Sequence, residues 1–281
     1  MQAADGTELF VHDWPLPAGM RRRGSALIIH GLGEHGALYA HVAAALNGLG
    51  VAVRAYDHRG FGRSGGPRAT IPSLNTLVDD AKQVFDAFAA EAKAAGDPAP
   101  PFLIGHSMGG AIAARAVTGG WIRPRGLVLS SPALRTRLPA LRRFAIRAVS
   151  HVVPNLVLPH GLPIDKVSHD PAVVAAAKAD PLCHTKATLR LVAFILDAGE
   201  NARRDAARLD VPTLLLVAGD DWLVDVDGSR EFAAAVPPAL CTIHEYPGLY
   251  HEVFNEREPD RARVLRDLRA WIAQRIDTTQ K

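Results

Sequence analysis

The stretch 101-PFLIGHSMGGAIAARAV-117 decides how the rest of the chain is read. Pro101 to Ile104 is a short apolar run of the kind that forms a buried strand. Ala111 to Val117 reads as a helix of small residues, and Gly105, Gly109 and Gly110 surround Ser107 between the two. Glycines two before and two after a serine let the chain turn sharply from strand to helix. That turn leaves the serine side chain exposed at the helix N-terminus on a strained backbone. Two readings compete: a nucleophile held ready for attack, or a serine that only caps the helix. The first needs a base, a carboxylate and donors for an oxyanion from elsewhere in the chain.

The bulk properties allow such an enzyme. A chain of 281 residues, 48% hydrophobic and 22% charged, is large enough for one sizeable core with an insertion. Two cysteines, Cys183 and Cys241, build neither a disulfide framework nor a four-ligand zinc site and read as small core residues in a reducing compartment. The formal net charge is only +3, and the basic residues are scattered except at Arg21–Arg23 and Arg135–Arg147, so nucleic-acid binding is not expected. The N-terminal MQAADGTELFVHDW carries no basic segment followed by an apolar one, and no run is long enough to span a bilayer. The expectation is a cytoplasmic protein, with peripheral membrane contact left open and oligomeric state unspecified.

Working outward from Ser107, apolar runs of strand length recur at Leu9–Trp14, Ala26–His30, Val51–Tyr56, Phe102–Ile104, Gly126–Ser130, Thr213–Ala218 and Cys241–Tyr246. Helical patterns separate them at Tyr39–Leu49, Leu77–Ala95, Met108–Thr118, Gly228–Ala235 and Asp260–Ile276. Alternating strands and helices predict an α/β fold whose mostly parallel sheet is covered on both faces. From about Leu134 to Leu209 the rhythm breaks: the segment holds six prolines, helical stretches and no convincing strand. It reads as a helical insertion.

In such folds chemistry sits beyond the carboxyl ends of the strands. Those ends carry HGLGEHG, DHRGFGRSGG, GHSMGG, GDDWLVD and PGLYHEVFNE. Five strand-end histidines could be the base for Ser107: His30, His35, His58, His106 and His251. His251 lies in a loop that can reach the turn, whereas His244 falls inside a strand. Asp220, Asp221 and Asp225 compete as the acid that would fix its tautomer. DHRGFGRSGG reads as a structural turn in which Asp57 and Arg59 can pair.

The motifs HGLGEHGALY, DHRGFGRSGG, GHSMGG, VLPHGLPID, DPL, GDDWLVD and LYHEVF, in that order, resemble the monoacylglycerol lipase and lysophospholipase branch of the α/β-hydrolases. The resemblance runs from about Gly6 to Ile276. It implies an α/β-hydrolase fold, with a core of residues 1–134 and 210–281 and a helical cap of residues 135–209. It implies Ser107 as nucleophile, Asp221 as acid, His251 as base, and backbone N–H groups of Leu32 and Met108 as the oxyanion hole. The adjacent Asp220 stays an alternative to Asp221 because the acid motif is compact here.

The function implied is hydrolysis of acyl esters of single-chain lipids, monoacylglycerol or lysophospholipid, with no metal or organic cofactor. A short-chain carboxylesterase and a peptidase or amidase are the enzymatic alternatives; a binding protein on the same scaffold is the non-enzymatic one. Within the cap, LPALRRFAIRAVSHVVPNLVLP has Leu138, Leu141, Ala145, Val149 and Val152 near helical spacing, with its arginines largely elsewhere. Two readings follow: a helix packed onto the body with solvated arginines, or a lid that touches an anionic lipid surface. Leu138, Leu141, Phe144, Ile146, Val149, Val152, Val153, Leu156, Val157 and Leu158, with Leu191, Phe194, Ile195 and Leu196, are the apolar surface expected to leave a channel beside Ser107.

Overall fold

The computed structural model describes residues 1–97 and 99–277. Five strands and three helices come first: β1 (Val11–Trp14), β2 (Gly24–Ile29), α1 (Ala40–Asn47), β3 (Val51–Tyr56), α2 (Thr76–Ala94), β4 (Phe102–His106), α3 (Met108–Thr118) and β5 (Leu127–Ser130). The segment after β5 folds as α4 (Ala140–Val152), β6 (Val157–Pro159), α5 (Pro171–Ala179), β7 (Lys186–Thr188) and α6 (Leu189–Arg204). The alternation then resumes with β8 (Thr213–Ala218), α7 (Asp227–Ala235), β9 (Cys241–Tyr246) and α8 (Asp260–Asp277).

The main sheet runs β1-β3-β2-β4-β5-β8-β9, parallel throughout except where β1 pairs antiparallel with β3. Its inner strands are mainly apolar because both faces are covered. Successive residues divide between two cores: Leu27 and Ile29 on one face, Ala26 and Ile28 on the other. Helices α2, α3 and α6 close the first face through Phe85, Ile112 and Phe194; α1 and α8 close the second through Leu46 and Trp271. The sheet therefore presents the loops after β2, β4, β8 and β9 at one edge, and the candidate residues lie on those four loops. No helix among the described residues is long and apolar enough to cross a membrane.

The segment after β5 departs from expectation in three respects. It is not strand-free: β6 and β7 pair antiparallel, three residues each, with Pro159 ending the first. Helix α6 is a body helix, with Leu191, Phe194, Ile195, Ala198 and Ala202 buried in the same core as α2 and α3. Backbone approach there is so close that a Cβ on Gly199 would sit 2.5 Å from the Leu134 carbonyl.

Helix α4 is turned the opposite way from the packed-helix reading. Leu141 and Val152 are each 80% exposed and Phe144 is 69% exposed. The arginine side instead faces α6, where Arg147 pairs with Asp197 at 2.6 Å and with Glu200 at 2.5 Å. Arg143, Ile146 and Arg147 are the half-buried residues of α4, and Ser150 is its buried one. A separate cavity of about 380 Å³, away from Ser107, lies along this seam and is lined by Arg143, Arg147, Ile195 and Glu200.

The expected pair of Asp57 with Arg59 is not made. Arg59 turns to Asp80 and Asp5, each at 2.6 Å, while Asp57 accepts from His12, Gly36 N–H and Arg63 N–H. Asp57 thus braces the loop after β2 against β1, and Arg59 ties α2 to the N-terminal segment.

Candidate active site

Ser107 occupies the turn between β4 and α3 with φ 52° and ψ −118°, a left-handed conformation rare outside glycine. Holding a serine there costs on the order of 1–3 kcal/mol, which the surrounding backbone must over-determine. It does so by hydrogen bonds: Ser107 N–H donates to Ser130 O at 3.0 Å, and Ser107 O accepts from Ala133 N–H at 2.8 Å. The flanking glycines are steric necessities. A Cβ on Gly109 would lie 2.1 Å from Ile29 O, and one on Gly105 would lie 2.4 Å from Gly109 O. The side chain makes no capping hydrogen bond to the helix it precedes. The helix-cap reading of Ser107 fails on that observation.

Asp221 and His251 meet across the loops after β8 and β9. His251 Nδ1 donates to Asp221 Oδ2 at 2.7 Å, with the side chains 2% and 1% exposed. Asp221 Oδ1 accepts from Leu223 N–H at 2.8 Å and Val224 N–H at 3.0 Å, so both carboxylate oxygens are engaged. Burial alone would push this carboxyl up; the adjacent His251 overcomes it and holds Asp221 below the ordinary carboxylate value. His251 Nε2 is buried without a hydrogen-bond partner among the described residues and lines the same cavity as Ser107. Asp220 is exposed and Asp225 pairs with Arg135 at 2.8 Å, so neither competes for His251.

The loop 31–35 after β2 carries Leu32. His30 Nδ1 donates to Gly31 O at 2.8 Å, and the Glu34 carboxyl accepts from Gly31 N–H and from Tyr39 O–H. A Cβ on Gly31 would lie 3.1 Å from the Ser107 Cβ, so this loop passes directly beside the serine. Met108 N–H is at the first position of α3, where a helix leaves donors unpaired. Leu32 follows Gly31 on that loop and Met108 follows Ser107 directly, so both residues belong to the backbone beside the serine.

The remaining histidines named from sequence are occupied elsewhere. His30 and His58 are fully buried; His30 Nε2 accepts from His58 N–H at 2.9 Å, and His58 Nε2 donates to His30 O at 3.1 Å. Burial drives the His58 pKa down to about 4, and burial together with His58 drives that of His30 well below its usual value, so both stay neutral braces. His35 Nε2 donates to Asp180 at 2.9 Å. His106 points into the site and pairs with Glu252 at 3.1 Å, its ring centroid 4.9 Å from that of His251.

Glu34, His106, Glu252 and Asn255 form a polar cluster whose role the sequence did not suggest. Burial opposes the charge on both members of the central pair, yet each partner outweighs it: Glu252 falls to about 2 and His106 rises to about 9. Glu34 is pushed up by burial and by the Glu252 charge. Asn255 donates to Glu252 at 3.0 Å. The donor atoms of Glu34, His106 and Glu252, and separately those of His35, Asp180 and Cys183, lie within 4.8 Å of one another and could hold a metal ion. In both groups the histidine and a carboxylate already satisfy each other.

Ser107, His251 and this cluster open onto one cavity of about 520 Å³. Its opposite wall is aliphatic and comes from residues 162–177, including Leu162, Ile164, Val167 and Val173, with Leu32 and Leu223 from the body. The channel residues expected from sequence are not there. From Leu141 to Leu158 these residues are exposed except for half-buried Ile146, none lines the cavity, and Leu191, Phe194, Ile195 and Leu196 are in the main core or on the seam with α4.

A strand-end serine on a strained turn, beside a buried histidine–aspartate pair, defines an α/β-hydrolase. Comparison with known proteins narrows this: residues 21–258 match the Hydrolase_4 family, described as serine aminopeptidase, S33, and the chain belongs to that family. It is 35% identical over 258 residues to a monoacylglycerol lipase of Mycolicibacterium smegmatis, covering 90% of this chain and 89% of the relative. It is 32% identical to phospholipase YtpA of Bacillus subtilis over 259 residues, covering 89% and 95%. Among solved structures it resembles the monoacylglycerol lipase of Paleococcus ferrophilus, with a TM-score of 0.84, 31% identity, and 95% and 99% of the two chains covered.

Proposed function

We propose that this protein is a serine ester hydrolase that cleaves acyl esters of single-chain lipids, with monoacylglycerols its best substrates. His251 Nε2 takes the proton of Ser107 Oγ as the oxygen attacks the ester carbonyl, and Asp221 stabilises the imidazolium. The N–H groups of Leu32 and Met108 hold the oxyanion. The intermediate collapses to an acyl-enzyme as the C–O bond breaks, and the alcohol leaves with the proton from His251. Water, deprotonated by His251, then releases the fatty acid and restores Ser107.

One observation carries this reading: Ser107 and His251 sit at the junction between an aliphatic wall and a carboxylate-lined end of a single cavity. The aliphatic wall suits an acyl chain, each buried methylene contributing roughly 0.8 kcal/mol. The polar end suits a polyol, since Glu34 and Glu252 supply acceptors for hydroxyls. Kinship with a monoacylglycerol lipase and a phospholipase supports a lipid ester; the hydroxyl acceptors beside Ser107 suit the first kind of head group. In this reading the cap lies within residues 135–209, with α6 as the body helix at its base and 160–186 as the part that covers the serine. The exposed apolar side of α4 and the strand that follows then face a lipid surface.

The test is a hydrolysis panel. Specificity, as kcat/KM, rises from p-nitrophenyl acetate to octanoate, and monooctanoylglycerol exceeds the corresponding lysophosphatidic acid by at least tenfold. Fastest cleavage of acetyl esters, or equal rates on both head groups, refutes the lipid assignment. Release of amino acids from peptides without ester cleavage would place the enzyme with the aminopeptidases instead.

A further inference from the structure

The loop that carries Leu32 is held from two sides by different parts of the molecule. Residues before Leu32 are held by the body: Gly31 is pinned through its carbonyl by His30 and through its N–H by Glu34. Residues after Leu32 are held by the body at Glu34 and Gly36, through Tyr39 and Asp57, and by the turn at 180–184, between α5 and β7. His184 N–H donates to Gly33 O at 3.0 Å, and His35 Nε2 donates to Asp180 Oδ2 at 2.9 Å. The approach is close enough to dictate a residue: Gly33 has φ +82°, and a Cβ there would lie 2.4 Å from His184 O. His35 is only 4% exposed, and Asp180 also accepts from Leu182 N–H at 2.8 Å, which keeps its carboxylate aimed at His35.

We propose that Asp180 and His35 are positioning residues for the oxyanion hole: the docked 180–184 turn fixes Gly33 and His35, and so aims the Leu32 N–H between them and Gly31. The hole is then complete only while this turn, which also carries the cavity-lining Cys183 and His184, is seated on the loop. The inference rests on the assignment of Leu32 as an oxyanion donor. A purely structural pair would instead fasten the turn to the body and shape the pocket. The two roles differ in what they change, because a misaimed donor weakens the tetrahedral state more than the bound ester.

The experiment measures kcat, KM and the affinity of octaneboronic acid, which becomes a tetrahedral anion on Ser107, together with thermal melting. Asp180→Ala lowers kcat on p-nitrophenyl octanoate by about 10- to 100-fold with KM within about threefold, the scale of a donor displaced by an ångström. Boronate affinity falls by the same factor as kcat/KM. Asp180→Asn keeps its one oxygen on Leu182 N–H and turns its NH₂ to His35 Nε2, which accepts in the other neutral tautomer, so the turn stays fastened and most of kcat returns. His35→Ala breaks the pair from the loop side, leaves the turn's own hydrogen bonds in place, and stands in for Asp180→Ala if that variant does not fold. The double variant loses no more than the worse single one. A rise in KM with kcat intact, additive losses, or unchanged boronate affinity overturns the inference. If wild type turns over ester and is labelled by a fluorophosphonate while Asp180→Ala equals it, this inference alone fails. If wild type does neither, the ester hydrolase reading fails and takes the inference with it.

Discussion

Replacing Asp221 by asparagine is the sharpest test of the assembled site, because its effect follows from hydrogen-bond bookkeeping at one buried side chain. Asp221 Oδ1 takes two backbone donors, Leu223 N–H and Val224 N–H, at 2.8 and 3.0 Å, and Oδ2 takes His251 Nδ1–H at 2.7 Å. An asparagine in this pocket keeps its single oxygen on the two backbone donors, since turning the amide over would set its NH₂ against both. The NH₂ then faces His251, which must accept at Nδ1 and carry its proton on Nε2. That tautomer cannot take a proton from Ser107. Loss of this kind costs about four powers of ten in kcat, or about 5.5 kcal/mol. Asp220, next in the chain but exposed, has no such position, and Asp220→Asn stays within about twofold of wild type. The assay is kcat/KM on p-nitrophenyl octanoate at pH 8, beside the rate of fluorophosphonate labelling and a thermal melt that certifies folding. A folded Asp221→Asn enzyme retaining a tenth of wild-type activity, or an equal loss in Asp220→Asn, refutes the reasoning.

Ser107→Ala leaves the fold intact, since alanine fits the same strained backbone with one atom fewer, and lowers turnover by about 10⁴-fold or more; substantial activity in pure protein would remove Ser107 from the mechanism. The His106–Glu252 pair makes stability depend on pH. Because the imidazole is raised from 6.5 to about 9, its contribution is complete below pH 6.5 and is lost as pH climbs to about 9. The loss is on the order of 3 kcal/mol at most. The stability gap between wild type and Glu252→Gln, read from denaturant midpoints, therefore narrows from pH 6.5 to 9; a constant gap refutes the pairing. Changing Leu141, Phe144 and Val152 together to serine weakens cosedimentation with phosphatidylglycerol vesicles at least tenfold while p-nitrophenyl acetate hydrolysis in solution is unchanged; undiminished binding moves the lipid contact elsewhere.

What could be seen in the sequence, and what could not, divides along physical lines. The strands β3 and β8 start and stop where their apolar runs do, because a strand covered on both faces admits little else along its length. The turn at Ser107 was legible for a similar reason: glycine is forced at 105 and 109 by backbone atoms within 2.4 Å, and such necessity leaves a mark in the chain. The choice of Asp221 over Asp220 needed the fold, since two adjacent residues point to opposite sides of a loop. The His106–Glu252 pair spans 146 residues and has no local signature at all.

Helix α4 is the instructive failure. A 3.6-residue period shows that a helix has two unlike faces, but the period is the same whichever face turns inward. The inward face here is decided by partners on α6: Asp197 and Glu200 lie across from Arg147 and draw the arginine side to the body, which sends Leu141, Phe144 and Val152 outward. A chain that buried those apolar residues instead would leave Arg147 in solvent and gain area, so burial alone does not select the observed orientation. Two carboxylates one helical turn apart on the neighbouring helix do, and they lie 50 and 53 residues away from the arginine they hold. The same inversion empties the expected acyl channel of α4 residues and hands its aliphatic wall to residues 162–177, short elements between prolines that carry no periodic signal of their own.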